Sequence, residues 1–290
     1  MDSLEQALKT MAKRGKSVEA LIVDQHPELI GLFQTYQNEA IQARRLLHPN
    51  LMALQNGAKL LEIGGGILAL AIQLESEGFD VTTVEPIGDG FTGISFMMQQ
   101  FLETANEEAL EVSLIRLPIE QCVFEDKFDF AFSINVMEHL QDPLEVLRQI
   151  LKSLSPNGVY RFFCPNYDFP YEPHFGKLLW RRKNHAFYLD CIRAQRKHIN
   201  GVDSLSLYNS LNFITLKKVL RFCSNNNLRI NTNKFALHDI LSRAVYDSAL
   251  KSRHRNLAKL AAFIQIIGLL RLSKYVPPRY QPVMDLSLTM

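Results

Sequence analysis

Apolar positions repeat every three or four residues at the start of the chain, then gather into short continuous runs from Lys59 onward. Leu4, Leu8 and Met11 stand at i, i+4 and i+7, and Ile30, Phe33 and Ile41 share a face in the next stretch, which predicts a helical lead-in over residues 1–56. His48-Pro49 breaks or restarts its second half. The later runs have strand length, at residues 60–63, 81–85, 112–117, 128–134 and 159–163. Helical stretches separate them at residues 67–77 and 95–102, and a third opens with Asp142 as N-cap and Pro143 in the first turn. Apolar strands alternating with helices predict a parallel sheet covered on both faces.

Residues 164–212 break this rhythm. They are rich in Pro, Tyr, His and Arg and read as a lid inserted over one end of the sheet. From residue 213 a helix and a strand return, then a long helical stretch over 238–272, then a closing strand in "QPVMDLSLTM". The predicted fold is α/β, a Rossmann-like, doubly wound, mostly parallel seven-stranded sheet. Its parts are the lead-in 1–56, a nucleotide-binding core 57–163, the lid 164–212, and residues 213–290 completing the core.

The segment "LLEIGGGILALAIQLESEGFDVTTVEP" joins strand, glycine turn, helix and a second strand ending on Glu85. Glycines at such a turn let backbone N–H groups approach a ligand. Gly64, Gly66 and Ala69 also satisfy a dinucleotide fingerprint, so a dinucleotide and S-adenosylmethionine compete. Glu85 can accept from ribose hydroxyls of either. Glu62 favours S-adenosylmethionine, whose amino group is cationic.

The ordered segments "LEIGGG", "VEP", "FEDKFDF" and "NVMEHLQDP" resemble the class I S-adenosylmethionine-dependent methyltransferases, in particular the small-molecule branch that includes the ubiquinone and menaquinone biosynthesis enzymes. The resemblance covers roughly residues 59–163. It implies that Glu62, Gly64, Gly65 and Gly66 form the methionine-side turn and that Glu85 holds the ribose. It places Ile119 and Glu120 beside the adenine, with Asn135 and Val136 along the methionine and methyl-transfer side. Two positions depart from the family pattern. Leu68 stands where a further glycine is common, and Pro118 where an acid usually meets the adenine amino group, so adenine recognition is expected to rest on backbone groups and apolar packing.

Methyl transfer aligns a nucleophile with an already activated methyl group. A hydroxyl nucleophile also needs a base, and histidine is the usual choice. His139 follows the fourth strand, and His174 lies in "CPNYDFPYEPHFG" after the fifth; each is either a catalytic residue or a structural one. Tyr167, Tyr171 and Glu172 in that loop are candidate substrate contacts or the packing of a rigid lid. No acid pair or histidine pair has ligand spacing, so no metal is expected. Lys177, Arg181, Arg182 and Lys183 around Trp180 form a solvated charge run or a site for an anionic acceptor group. The implied reaction is methyl transfer to an oxygen, less readily a nitrogen, of a small-molecule, glycan or lipid-linked acceptor. An NAD(P)-dependent oxidoreductase and a catalytically inactive binding protein of the same fold stand as alternatives.

The net charge of +2 argues against a nucleic-acid partner. Cys122, Cys164, Cys191 and Cys223 are too dispersed for a disulfide framework or zinc cluster, and no secretory or membrane-spanning segment is legible, so a cytoplasmic protein is expected. Residues 260–270 form an apolar block flanked by cations, which suits either a buried helix or peripheral membrane contact through a 253–274 helix. The sequence does not determine the oligomeric state.

Overall fold

The computed structural model describes residues 3–86, 92–125, 127–175, 177–178, 198–199, 202–246, 251 and 255–290. Its centre is a seven-stranded sheet of β1 (Lys59–Ile63), β2 (Asp80–Val84), β3 (Ser113–Ile115), β4 (Phe128–Ile134), β5 (Leu154–Pro165), β6 (Arg229–Thr232) and β7 (Val283–Thr289). The spatial order is β6-β7-β5-β4-β1-β2-β3. β1 to β5 run parallel, and β7 is inserted antiparallel between β5 and β6. This arrangement is the Rossmann-like fold the alternating pattern predicts.

The central strands are buried on both faces. Leu61, Ile63, Ala131 and Phe162 face a core that includes α5 (Pro143–Lys152), while Leu60, Phe130 and Phe132 face α2 (Ile30–Leu51) and α3 (Ala69–Ser76). Asp142 caps α5, its carboxylate accepting from the N–H groups of Leu144 and Glu145. β5 is longer than its apolar run predicts. It begins at Leu154, and a register shift against β4 absorbs Ser155 to Gly158 before regular pairing starts at Val159.

The lead-in consists of α1 (Leu4–Gln25) and α2, packed on α3 and α4 (Thr92–Glu107). Two ion pairs fix it there. Arg44 donates to Glu77 at 2.9 and 2.6 Å, with both side chains wholly buried. Arg14 reaches Glu108 and Gln73. After β5 come α6 (Ser204–Ser210), α7 (Leu216–Asn225), α8 (Ala236–Tyr246) and α9 (Arg255–Ile266).

The long helical stretch predicted over 238–272, and with it a single 253–274 helix, is corrected. α9 ends at Ile266, Gly268 turns the chain at φ +74°, and residues Leu269–Tyr275 form a 3-10 helix. The turn lets Ala261, Ile264 and Leu270 pack back on Leu241, Ala244 and Val245 of α8. None of the described helices is long and apolar enough to cross a membrane.

Candidate active site

β1 delivers the chain to the glycine turn. Gly64 adopts φ +82°, and a Cβ there would overlap Cγ2 of Val136, so strand end and ligand wall meet with no room for a side chain. Gly66 adopts φ +54°, and its N–H donates to Oε2 of Glu85 at 2.8 Å. The end of β2 thus clasps the turn and leaves the second Glu85 oxygen free of it. Leu68, standing where a glycine is common, occupies the left-handed region at φ +64° directly before α3. That conformation costs about 1–2 kcal/mol for a residue with a Cβ, and full burial of the leucine side chain, worth about 1.5–3 kcal/mol, offsets it.

Glu62 is buried at the end of β1, where Thr83 Oγ1 donates to its Oε2 at 3.2 Å. Burial drives its pKa up to about 8, Thr83 opposes the shift, and the nearby Glu85 charge adds to it. Burial pushes Glu85 up to about 7, against the Gly66 hydrogen bond. Two acids held above their ordinary range in one cleft mark a candidate functional site.

The turn opens into a cleft of about 700 Å³, within the range of small-ligand sites. Glu62, Gly64, Gly65, Gly66, Glu85, Ile119, Glu120, Asn135, Val136, His139 and His174 all line it. Asn135 bends the chain out of β4 at φ +56°. Ile119 is buried against the cleft floor, while Glu120 accepts from the N–H of Gln141 at 3.1 Å. Tyr36 and Glu39 of α2 complete the wall over the glycine turn. Tyr36 was not singled out in the sequence; its signal is an aromatic residue three positions before an acid on one helix.

His139 and His174 face each other with ring centroids 5.2 Å apart. His139 sits in a short 3-10 turn, Met137–His139, stapled by Asn212, whose Nδ2 donates to the carbonyls of Met137 and Leu140. Its Nδ1 lies 2.8 Å from Ser210 Oγ. His174 Nδ1 lies 2.6 Å from Glu172 Oε1. Burial, with the neighbouring His174 charge, lowers the His139 pKa to about 4. Burial also opposes charge on His174, but the Glu172 hydrogen bond and charge outweigh it and hold that pKa above its ordinary value.

Tyr167, Tyr171 and Glu172, expected as substrate contacts, do not line the cleft. Glu172 is fully buried behind His174 and accepts from Tyr167 Oη at 3.1 Å and from the N–H of Phe175 at 2.7 Å. The loop therefore turns its acid inward to hold an imidazole. The fold brings one ligand atom each from Glu138, His139 and His174 within 4.8 Å of one another, a proximity that sequence spacing does not reveal. The side chains of Lys177, Trp180, Arg181, Arg182 and Lys183 lie outside the described residues.

A family model described as a methyltransferase domain matches residues 33–212. An uncharacterized protein of Mycobacterium tuberculosis is 40% identical over 276 residues, covering 92% of this chain and 91% of the relative. The ubiquinone biosynthesis O-methyltransferase of Rickettsia bellii is 23% identical over 101 residues, 35% of this chain and 39% of that enzyme. Among solved structures, phosphoethanolamine N-methyltransferase 2 of Haemonchus contortus, in complex with S-adenosyl-L-methionine, superposes with a TM-score of 0.54 at 15% identity. That match covers 92% of this chain and 58% of the other.

Proposed function

The chain belongs to the methyltransferase-domain family, and from that premise we propose that it transfers the methyl group of S-adenosylmethionine to an oxygen of a small-molecule or lipid-linked acceptor. One observation carries this reading: a single cleft joins the glycine turn and its two acids to the facing pair His139 and His174. Glu62 takes the donor's ammonium end and Glu85 its ribose hydroxyls. Ile119 packs on the adenine, with Glu120 at its rim. Asn135 and Val136 line the path of the methyl group. His139 and His174 orient and activate the acceptor hydroxyl. Its oxygen then takes the methyl, the carbon–sulfur bond breaks with its electron pair going to sulfur, and the hydroxyl proton passes to solvent.

Titration calorimetry with S-adenosylmethionine, S-adenosylhomocysteine and NAD(H) tests the cofactor assignment. The two sulfur ligands should bind and NAD(H) should not. Glu85→Ala should cost about 1–3 kcal/mol of binding, and Gly64→Val should abolish it, because the side chain meets Val136. Wild-type affinity in both folded variants would remove this site from cofactor binding.

The acid pair also sets a pH dependence. Glu62 and Glu85 have folded-state pKa values of about 8 and about 7, above the 4.5 of a free glutamate. A raised carboxyl pKa means that the ligand-free fold holds protons the unfolded chain releases, so it loses stability as pH climbs from 4.5 through 7 to 8. A cationic ligand favours the ionised acids. Donor affinity should therefore fall by up to about tenfold per pH unit and per group below these values. The thermal shift on donor binding should be larger near pH 8.5 than near pH 6, and a flat profile would separate both acids from the ligand.

The C-terminal unit favours a lipid-linked acceptor. Leu260, Phe263, Ile266, Ile267, Leu272 and Tyr275 are exposed together, and Lys259, Arg271, Lys274 and Arg279 are exposed beside them. Apolar side chains ringed by cations match an anionic bilayer surface. Asn166, which follows β5, donates to the carbonyl of Gln281 at 3.0 Å and ties this unit to the sheet end that carries the cleft. In flotation assays the protein should rise with anionic vesicles, less so at high salt. Changing Phe263, Ile266 and Leu272 to Ser should abolish binding without unfolding, since these side chains are outside the α8 contact. Absence of flotation at low salt would return the acceptor to the soluble small molecules.

A further inference from the structure

We propose that Glu138, His139 and His174 form a site for a divalent transition-metal cation of the zinc type, placed at the acceptor end of the cleft so that its open position takes the acceptor oxygen. The role of that open position rests on the methyl-transfer reading above; the cation site itself rests on the three side chains.

The first observation is Glu138. Its side chain is fully buried, and neither carboxylate oxygen has a hydrogen-bond partner among the described residues. An isolated buried carboxylate is expensive, and native structures tolerate one when a cation or donors compensate it. His139 Nε2 lies 4.0 Å from Oε1, too far for a hydrogen bond. A gap of this kind between a carboxylate and imidazole nitrogens fits an ion that all of them reach.

The second observation is how the imidazoles are held. Each has Nδ1 engaged, His174 by Glu172 at 2.6 Å and His139 by Ser210 at 2.8 Å. Those bonds leave Nε2 of each ring unengaged, and one ligand atom per residue of the three lies within 4.8 Å of the others. Metal-bound histidines are oriented in this way, with the distal N–H given to a carboxylate, carbonyl or water. Glu172 is itself fixed by Tyr167 and Phe175, so a second layer of hydrogen bonds sets the ring. The turn bearing the other two ligands is pinned by Asn212, whose N–H also donates to the Glu138 carbonyl at 2.8 Å.

The ligand set selects the ion. Two imidazoles and one carboxylate suit zinc and its neighbours and leave a position open, whereas magnesium and calcium prefer oxygen donors throughout. Coordination lowers the pKa of a bound hydroxyl. The acceptor O–H bond would break with its proton passing to solvent. The metal-bound oxygen would form the new O–C bond, and the methyl–sulfur electron pair would return to sulfur, giving S-adenosylhomocysteine.

Cobalt(II) is the probe, because its visible d–d absorption reports coordination without turnover. Chelator-stripped full-length protein should take up cobalt with a saturating band that zinc abolishes. His139→Ala and His174→Ala should each lose the band while keeping donor affinity and circular dichroism. Glu172→Gln, which weakens the acceptor that holds the His174 ring, should weaken cobalt binding about 10–100-fold with circular dichroism unchanged. No band in the wild type, or an unchanged band in the double histidine variant, overturns the proposal. Donor calorimetry on the same samples separates the two ideas. Donor binding without cobalt binding sinks the cation site alone, and cobalt binding without donor binding sinks the donor assignment alone.

Discussion

Replacing His174 with Ala should lower methyl transfer by about 10²-fold or more while donor affinity stays near that of the wild type. His174 lines the cleft beside His139, and Glu172 holds its Nδ1 at 2.6 Å. His139→Ala should behave alike, and the double variant should lose little more than the worse single one if the two rings, 5.2 Å apart, act together as proposed. The measurement is transfer of labelled methyl to an acceptor found by screening hydroxyl compounds, with donor binding followed separately. Full activity in the double variant would remove both histidines from the chemistry. A parallel loss of donor affinity would show that they support the fold of the cleft and leave the acceptor untouched.

Arg44→Ala should destabilise the fold by about 3–5 kcal/mol, read by chemical denaturation. Arg44 and Glu77 are both wholly out of solvent, and Gln73 donates at 2.9 Å to Glu77 Oε1, which also accepts from Arg44 Nε. Removing the guanidinium leaves a buried carboxylate without its counter-charge. The effect should reach the ligand, because α2 also carries Tyr36 and Glu39 to the cleft wall. A paired Arg44→Met, Glu77→Leu variant should recover much of the loss, since apolar isosteres of a buried pair pack without desolvating charge. A cost below about 1 kcal/mol for Arg44→Ala would mean that water reaches the pair.

The sheet was legible because its central strands are buried on both faces and carry continuous apolar runs, as in residues 128–134. The glycine turn was legible because its requirement is local: a left-handed backbone at Gly64 and Gly66 within one strand-helix junction. Elsewhere local pattern misled. The apolar stretch 260–270 reads as one helix, yet Gly268 breaks it and the side chains divide between α8 and the surface. The acid of the 171–174 loop reads as a pocket residue, yet its backbone neighbours turn it under His174. Tyr36, Ser210 and the Arg44–Glu77 pair depend on contacts between segments far apart in the chain, which no spacing rule encodes. Leu68 was marked as standing at a glycine position of the family pattern, but its left-handed conformation leaves no trace in composition or periodicity.

The family match begins at residue 33, inside α2, and so omits α1 altogether. Yet Met11, Val18 and Ile22 of α1 are buried in the cores that steady α2, and α2 supplies the wall above the glycine turn. A protein shortened to begin at the first strand would keep the glycine turn and Glu85 and would lose the cleft wall that Tyr36 and Glu39 form. The stretch that announces this enzyme's ancestry is thus shorter than the stretch that does its work, and sequence drift in the first fifty or so residues would be felt as altered grip on the cofactor even where the signature motifs stand untouched.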